Sequence, residues 1–143
     1  MERRALSMWW DHSTWDLARA AYVAELDDDP PGPGTLLGWV VAAIEAHAAR
    51  SAAARASLST DMPAADAAAG FQKVHQMTAT TLSAIEAAIA DDRRSAGRIL
   101  SRSAWVREAA RAAAGATRLR HGGSLPEAPD RLAPGPPRGG ERG

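Results

Sequence analysis

The order strand, helix, breaker, helix is written twice in this chain, so whatever it folds into must accommodate two equivalent units. In the first, Arg4 to Trp10 alternate: Leu6, Met8 and Trp10 point one way, and Ala5, Ser7 and Trp9 the other. Asp11 or Ser13 can cap the helix that follows, from about Thr14 to Leu26, with Trp15, Ala18, Tyr22 and Leu26 on one face. The run Asp27 to Gly34, with Pro30, Pro31 and Pro33, cannot continue it. Thr35 caps a second helix, whose apolar face is Leu37, Val40, Val41, Ile44 and Ala48 and whose end lies near Arg50. In the second unit Phe71 to Met77 is the strand, and Thr78 to Thr81 open a helix with Leu82, Ile85 and Ile89 on its face, ending near Asp91 to Gly97. Ser101 caps a helix with Trp105, Val106 and Ala109 inward, running to about Arg118. Trp15, Ala18 and Tyr22 match Leu82, Ile85 and Ile89 at an offset of 67, and Thr35, Trp39, Val40 and Ala43 match Ser101, Trp105, Val106 and Ala109 at 66. The offset drops by one in the loop between helices, where a deletion is tolerated.

The 143 residues allow one ordinary domain or two very small ones. Between the units, residues 51–70 are Ala- and Ser-rich and read as a linker, partly helical at Ala52 to Leu58; extended, it reaches roughly 70 Å and leaves the placement of the units open. Residues 121–143 hold Gly, Pro and Arg with almost nothing apolar, and read as a flexible tail. The fold class expected is mainly α with short β-strands, α+β: unit one over 4–50, unit two over 71–120.

The net charge is zero but uneven: residues 1–66 carry five Arg against ten Asp and Glu, and residues 67–122 nine Lys and Arg against four. A basic half points to a polyanion partner. Without cysteine, the chain has no disulfide framework and no thiolate chemistry. The four histidines do not form a metal spacing, and no cofactor is expected. No membrane span or leader pattern is legible, so a cytoplasmic protein, nucleoid- or plasmid-associated, is the expectation. Catalysis is not expected either. No paired carboxylates sit in an apolar setting, no Gly-rich phosphate loop follows a strand, Asp11-His12-Ser13 reads as a cap, and Glu108 beside Arg107 and Arg111 reads as a surface ion pair.

Strand, helix, short loop and capped helix in about 45 residues resembles the ribbon-helix-helix family of DNA-binding proteins. Ser101-Arg102-Ser103-Ala104-Trp105-Val106-Arg107-Glu108-Ala109 is similar to the start of that family's second helix, and Arg4 to Arg50 resembles the unit found in actinobacterial plasmid partition (centromere-binding) proteins. Two units in one chain also resemble some relaxosome accessory proteins. The resemblance implies that two antiparallel strands enter the major groove of double-stranded DNA while the N-termini of the second helices hold phosphates. The residues it assigns to DNA are Arg4, Ser7, Trp9, Thr35, Gln72, Lys73, Gln76, Ser101, Arg102 and Ser103. It implies plasmid partition or transcriptional repression, with a partition ATPase or a toxin as a further partner. The alternative is a protein-interaction module, such as an antitoxin whose tail folds on its partner.

Two settings of the second strand stay open. If Gln72, Val74 and Gln76 face outward, Lys73 and His75 face the core; a slip of one residue reverses this. Asp27 to Asp29 would repel phosphate near DNA, which favours unit two for contact and unit one for pairing. The units could pair as an intramolecular pseudo-dimer or like with like as a homodimer; family habit and linker freedom favour the homodimer.

Overall fold

The computed structural model describes residues 2–62 and 69–128. The chain runs β1 (Arg3–Asp11), α1 (His12–Leu26), α2 (Leu36–Ala48), α3 (Ala52–Asp61), β2 (Gly70–Thr78), α4 (Ala79–Ala96) and α5 (Arg102–Arg120). It is an α+β protein: β1 and β2 form a two-stranded antiparallel sheet, and the five helices belong to the same body. Each helix starts the same way, with a side-chain oxygen taking the N–H three residues on. Asp11 accepts from Thr14, Thr35 from Gly38, Ser51 from Ala54, Thr78 from Thr81 and Ser101 from Ala104. Of the two candidate caps for α1, Asp11 holds the position, so the helix begins at His12. Gly97 ends α4 in the left-handed conformation, with φ of 67°, where a side chain is strained.

The two strands pair with each other within one chain. The register runs from Arg3 opposite Thr78 to Asp11 opposite Gly70, and its middle pair is Ser7 opposite Val74. Those two residues are 67 apart, the repeat offset of the first helices. Each strand therefore sits on the other as it would on a copy of itself, about a dyad through that pair. The alternation is settled as well. Leu6, Met8, Trp10, His75 and Met77 are buried beneath the sheet, and Ala5, Ser7, Gln72, Val74 and Gln76 are on the opposite side, above it. Gly70 is required where it stands, because a β-carbon there would lie 2.3 Å from both the Trp10 carbonyl oxygen and the Trp9 ring.

One core takes side chains from both repeats: Leu6, Met8, Trp10, Tyr22, Trp39 and Ile44 join Met77, Ile85, Trp105 and Val106. Trp39 and Trp105 are both buried, as their equivalence requires. Their indole N–H groups end on equivalent carboxylates, Trp39 on Glu25 at 2.8 Å and Trp105 on Asp92 at 3.1 Å. Each carboxylate also takes a second donor, Glu25 from the opposite repeat and Asp92 from α3. The Thr117 hydroxyl donates to Glu25 at 2.6 Å, and Arg55 Nε donates to Asp92 at 2.9 Å.

The stretch read as a linker therefore has a fixed part. α3 carries Arg55, which is 1% exposed. Its guanidinium also bonds Asp91 at 3.0 Å and the carbonyls of His47, Ala48 and Arg50. Those carbonyls lie at the end of α2, where a cation offsets the helix dipole and satisfies free acceptors. Residues 63–68 lie outside the described residues. So do residues 129–143 of the expected tail; its first part is held, with His121 against Asp28 at 2.9 Å and Leu125 packed against the core. Glu108, read as a surface ion pair, is buried. It meets His47 at 2.8 Å and also pairs with Arg98. Arg50 Nη1 lies 2.7 Å from His47 Nδ1 and can only donate, so Nε2 carries the proton given to Glu108.

Two outcomes follow from this packing. Light scattering at micromolar concentration should give the mass of one chain, and twice that mass would mean that strand pairing between chains prevails. Trp105→Ala should cost about 3–5 kcal/mol in denaturant unfolding, the range for truncating a buried aromatic. A change under ~1 kcal/mol would contradict the burial of Trp105 and its bond to Asp92.

Candidate functional site

Among the described residues no helix covers the outer face of the sheet, and the residues of that face are mostly small or polar. Along β1 it presents Arg3, Ala5, Ser7 and Trp9; along β2 it presents Gln72, Val74 and Gln76. The Ser7 hydroxyl donates to the Gln72 side-chain carbonyl at 3.2 Å, across the ladder. Ala5 lies opposite Gln76, so no side chain crowds that carboxamide from the facing position. Trp9 is half-buried. Its ring lies over Gly70 and 5.1 Å from the Arg107 guanidinium, a cation–π arrangement.

The start of α5 closes against β1 beside this face. The Trp9 N–H donates to the Ser103 hydroxyl at 3.0 Å, and Arg107 donates to the Trp9 carbonyl at 3.1 Å. A free strand edge invites association, and these two bonds occupy it at Trp9. Arg107 Nε also stands 3.4 Å from Asp11. Burial pushes the Asp11 carboxyl up, but hydrogen bonds from Ser13 and Thr14 outweigh it and hold the group below the usual carboxylate range. The start of α2 lies near β2 in the corresponding way, where Thr35 and Gly38 share a surface cleft with Arg3, Met77 and Thr78. Two capped helix N-termini therefore lie beside the sheet.

The ten residues picked from the sequence divide accordingly. Ser7, Trp9, Gln72 and Gln76 share the outer face. Thr35 and Ser101 are exposed caps at the flanking helices. Arg102 is exposed and its Nε pairs with Glu86 at 2.5 Å. Ser103 holds the β1 edge. Arg4 and Lys73 fall on the alternate side by parity; Arg4 stands 3.9 Å from Glu2, and Lys73 reaches out past the core with its Nζ 5.9 Å from the centroid of the Trp15 ring. Sequence reasoning missed Arg107, which links Trp9, Asp11 and the helix start. Nothing local to Arg107 signals this, because both partners lie in β1, at the other end of the chain.

Beneath the sheet, His75 is buried and accepts the Trp10 indole N–H at 2.9 Å on Nε2, so its own proton sits on Nδ1. This bond is how a histidine is tolerated on the core side. Burial, helped by the positive Lys73, pushes its pKa down to about 4. Glu108 is held below its usual value in another way: burial raises it, and hydrogen bonds from His47 and Arg98 with the Arg98 charge outweigh that. Among the described residues no His, Asp or Glu cluster could hold a metal ion, and no helix is long and apolar enough to cross a membrane.

Comparison with protein-family models, with curated proteins and with solved structures finds no match to this chain.

The buried histidine gives a signed pH dependence. Unfolded, His75 takes a proton near pH 6.5; folded, it resists until about pH 4. Between those values the unfolded state binds more protons, so stability falls as pH falls through the window. From pH 7 to 4.5 the native protein should lose about 2–3 kcal/mol more than His75→Gln, whose side-chain carbonyl can still accept the Trp10 N–H. Urea unfolding at both pH values measures this, and equal losses would remove His75 as the cause.

Proposed function

We propose that the protein binds double-stranded DNA and reads its major groove with the β1–β2 ribbon. The observation that carries this reading is a two-stranded antiparallel ribbon that no described helix covers on its outer face, polar there through Ser7, Gln72 and Gln76, with capped N-termini of α2 and α5 beside it. A B-form major groove is about 12 Å wide and admits a two-stranded ribbon. Glutamine pairs bidentately with adenine, and a helix N-terminus holds a phosphate without reading sequence.

In this reading β1-α1-α2 and β2-α4-α5 are two ribbon-helix-helix units fused in one chain, with the four helices beneath the ribbon. The fusion supplies in one molecule what two copies of a single unit otherwise supply together. The likeness of Ser101 to Ala109 and of Arg4 to Arg50 to that family supports a role in plasmid partition or in repression. The position of the acidic loop fits as well. Asp27 to Asp29 follow the end of α1, a helix of 15 residues from the end of β1. There Asp28 is paired with His121 and Arg120, at 2.9 and 3.7 Å, so its charge is partly met.

Duplexes selected from a random library provide the ligand for testing. Affinity measured by anisotropy should fall steeply with salt, because phosphate contacts release counterions. Arg102→Ala should weaken selected and random duplexes alike and reduce the salt slope by about one. Glu86→Gln, which frees Arg102 from its partner, should strengthen both. Gln76→Ala should cost about 1–3 kcal/mol on the selected site and leave random duplexes nearly unchanged. Circular dichroism checks that each variant is folded. Absence of any duplex binding at low salt by the folded protein would sink the reading.

A further inference from the structure

We infer that a single chain reads a non-palindromic duplex site in one orientation, with a thymine methyl under Val74 and an adenine under Gln76. This rests on the DNA-binding reading above and specifies the site it takes. The ribbon has dyad geometry without dyad chemistry. Its register is centred on Ser7 and Val74, which are both partners and repeat equivalents. A dyad would place Gln72 where Ala5 stands, Gln76 where Trp9 stands, and Val74 where Ser7 stands. At none of the outward positions does the same residue recur. Two identical strands present each reading group twice and so require a palindrome. These two strands present each group once, and the face has a direction.

The polar groups are also unequally available. At one end Trp9 is fixed over Gly70 by Arg107, and Gln72 opposite it accepts the Ser7 hydroxyl on its side-chain carbonyl. At the other end Gln76 has the small Ala5 in the facing position, and the Arg3 guanidinium donates to its backbone carbonyl at 3.2 Å. Its carboxamide is left with both donor and acceptor, the pair that matches adenine N7 and N6. At the centre Val74 is 56% exposed, a large fraction for a β-branched apolar side chain. In the groove the group that matches it is the 5-methyl of thymine. The bonds from Ser103 and Arg107 to Trp9 tie the start of α5 to β1, and the two strands form their ladder within one chain.

The test uses the full chain and a random duplex library. The enriched motif should lack internal two-fold symmetry, and titration well above the dissociation constant should saturate at one chain per duplex. Replacing the central thymine by uracil deletes one methyl. It should weaken wild-type binding roughly four-fold, the worth of one buried carbon, and should not affect Val74→Ala. Gln76→Ala should lose discrimination at one adenine by about 5- to 150-fold. A palindromic motif, two chains per site, or a uracil effect of equal size in Val74→Ala overturns this inference while duplex binding stands. Salt-sensitive binding with no enriched motif overturns it too. No duplex binding at all removes the DNA reading and this inference with it.

Discussion

A nine-residue strand with one apolar face cannot persist alone in water, because its backbone groups and its buried side both need a partner. In this chain each of two such strands finds the other. Met8, Trp10 and Leu6 cannot be covered unless β1 is paired and the helices close beneath it. Met77 and His75 have the same need from the other side. The register decides which faces meet the core, since a slip of one residue would bring Gln72, Val74 and Gln76 inward and expose the rest. The centring on Ser7 and Val74 then sets the helices that follow each strand in related positions.

What locks the repeats together beneath the sheet is polar. Glu25 and Asp92 each accept a tryptophan N–H from their own repeat and a second donor, from the opposite repeat for Glu25 and from α3 for Asp92. The donors differ, a threonine hydroxyl at one end and the buried Arg55 at the other, so the two ends of the molecule are distinguishable. A buried ion pair adds little net stability over a hydrophobic replacement, but removing one partner alone leaves an uncompensated charge. Arg55 answers that cost with carbonyls at the end of α2 as well as two carboxylates. The break at residues 49–51 allows it: α3 starts afresh at Ser51 and turns Arg55 back beneath α2, whereas α5 runs on unbroken.

Features that depend on short-range chemistry were legible in the sequence. The capping residues Thr35 and Ser101, the alternation of Leu6, Met8 and Trp10, and the paired Trp39 and Trp105 all show within a few positions. The partners of those tryptophans did not. Glu25 and Asp92 look like surface acids until a fold brings an indole to each, and Glu108 looked like a helix-face ion pair for the same reason. A recurrent acid 13 or 14 residues before each tryptophan was the available signal. Arg55 was hidden in an Ala- and Ser-rich stretch whose weak periodicity reads as linker. At the outer face, parity placed Ser7 and Trp9 correctly, but the setting of β2 needed the cost of burying His75 to be weighed against a hydrogen bond from Trp10, 65 residues away.

The uneven charge of the chain has a different meaning once the contacts are in place. Several arginines of the basic half meet acids of the acidic half: Arg107 meets Asp11, and Arg120 lies 3.9 Å from Glu25 and 3.7 Å from Asp28. Arg55 crosses the other way to Asp91 and Asp92. Much of the apparent asymmetry is thus a complementarity between repeats, which favours their pairing with each other over the pairing of like with like. Two acidic halves, or two basic halves, would face their own charge across the same contacts. Arginines held in these pairs do not count as phosphate contacts. A nucleic-acid partner therefore does not follow from the charge of the second half. The proposed nucleic-acid partner rests instead on the ribbon face, where Arg3, Ser7, Gln72 and Gln76 stand clear of the core, and on the helix starts at Thr35 and Ser101.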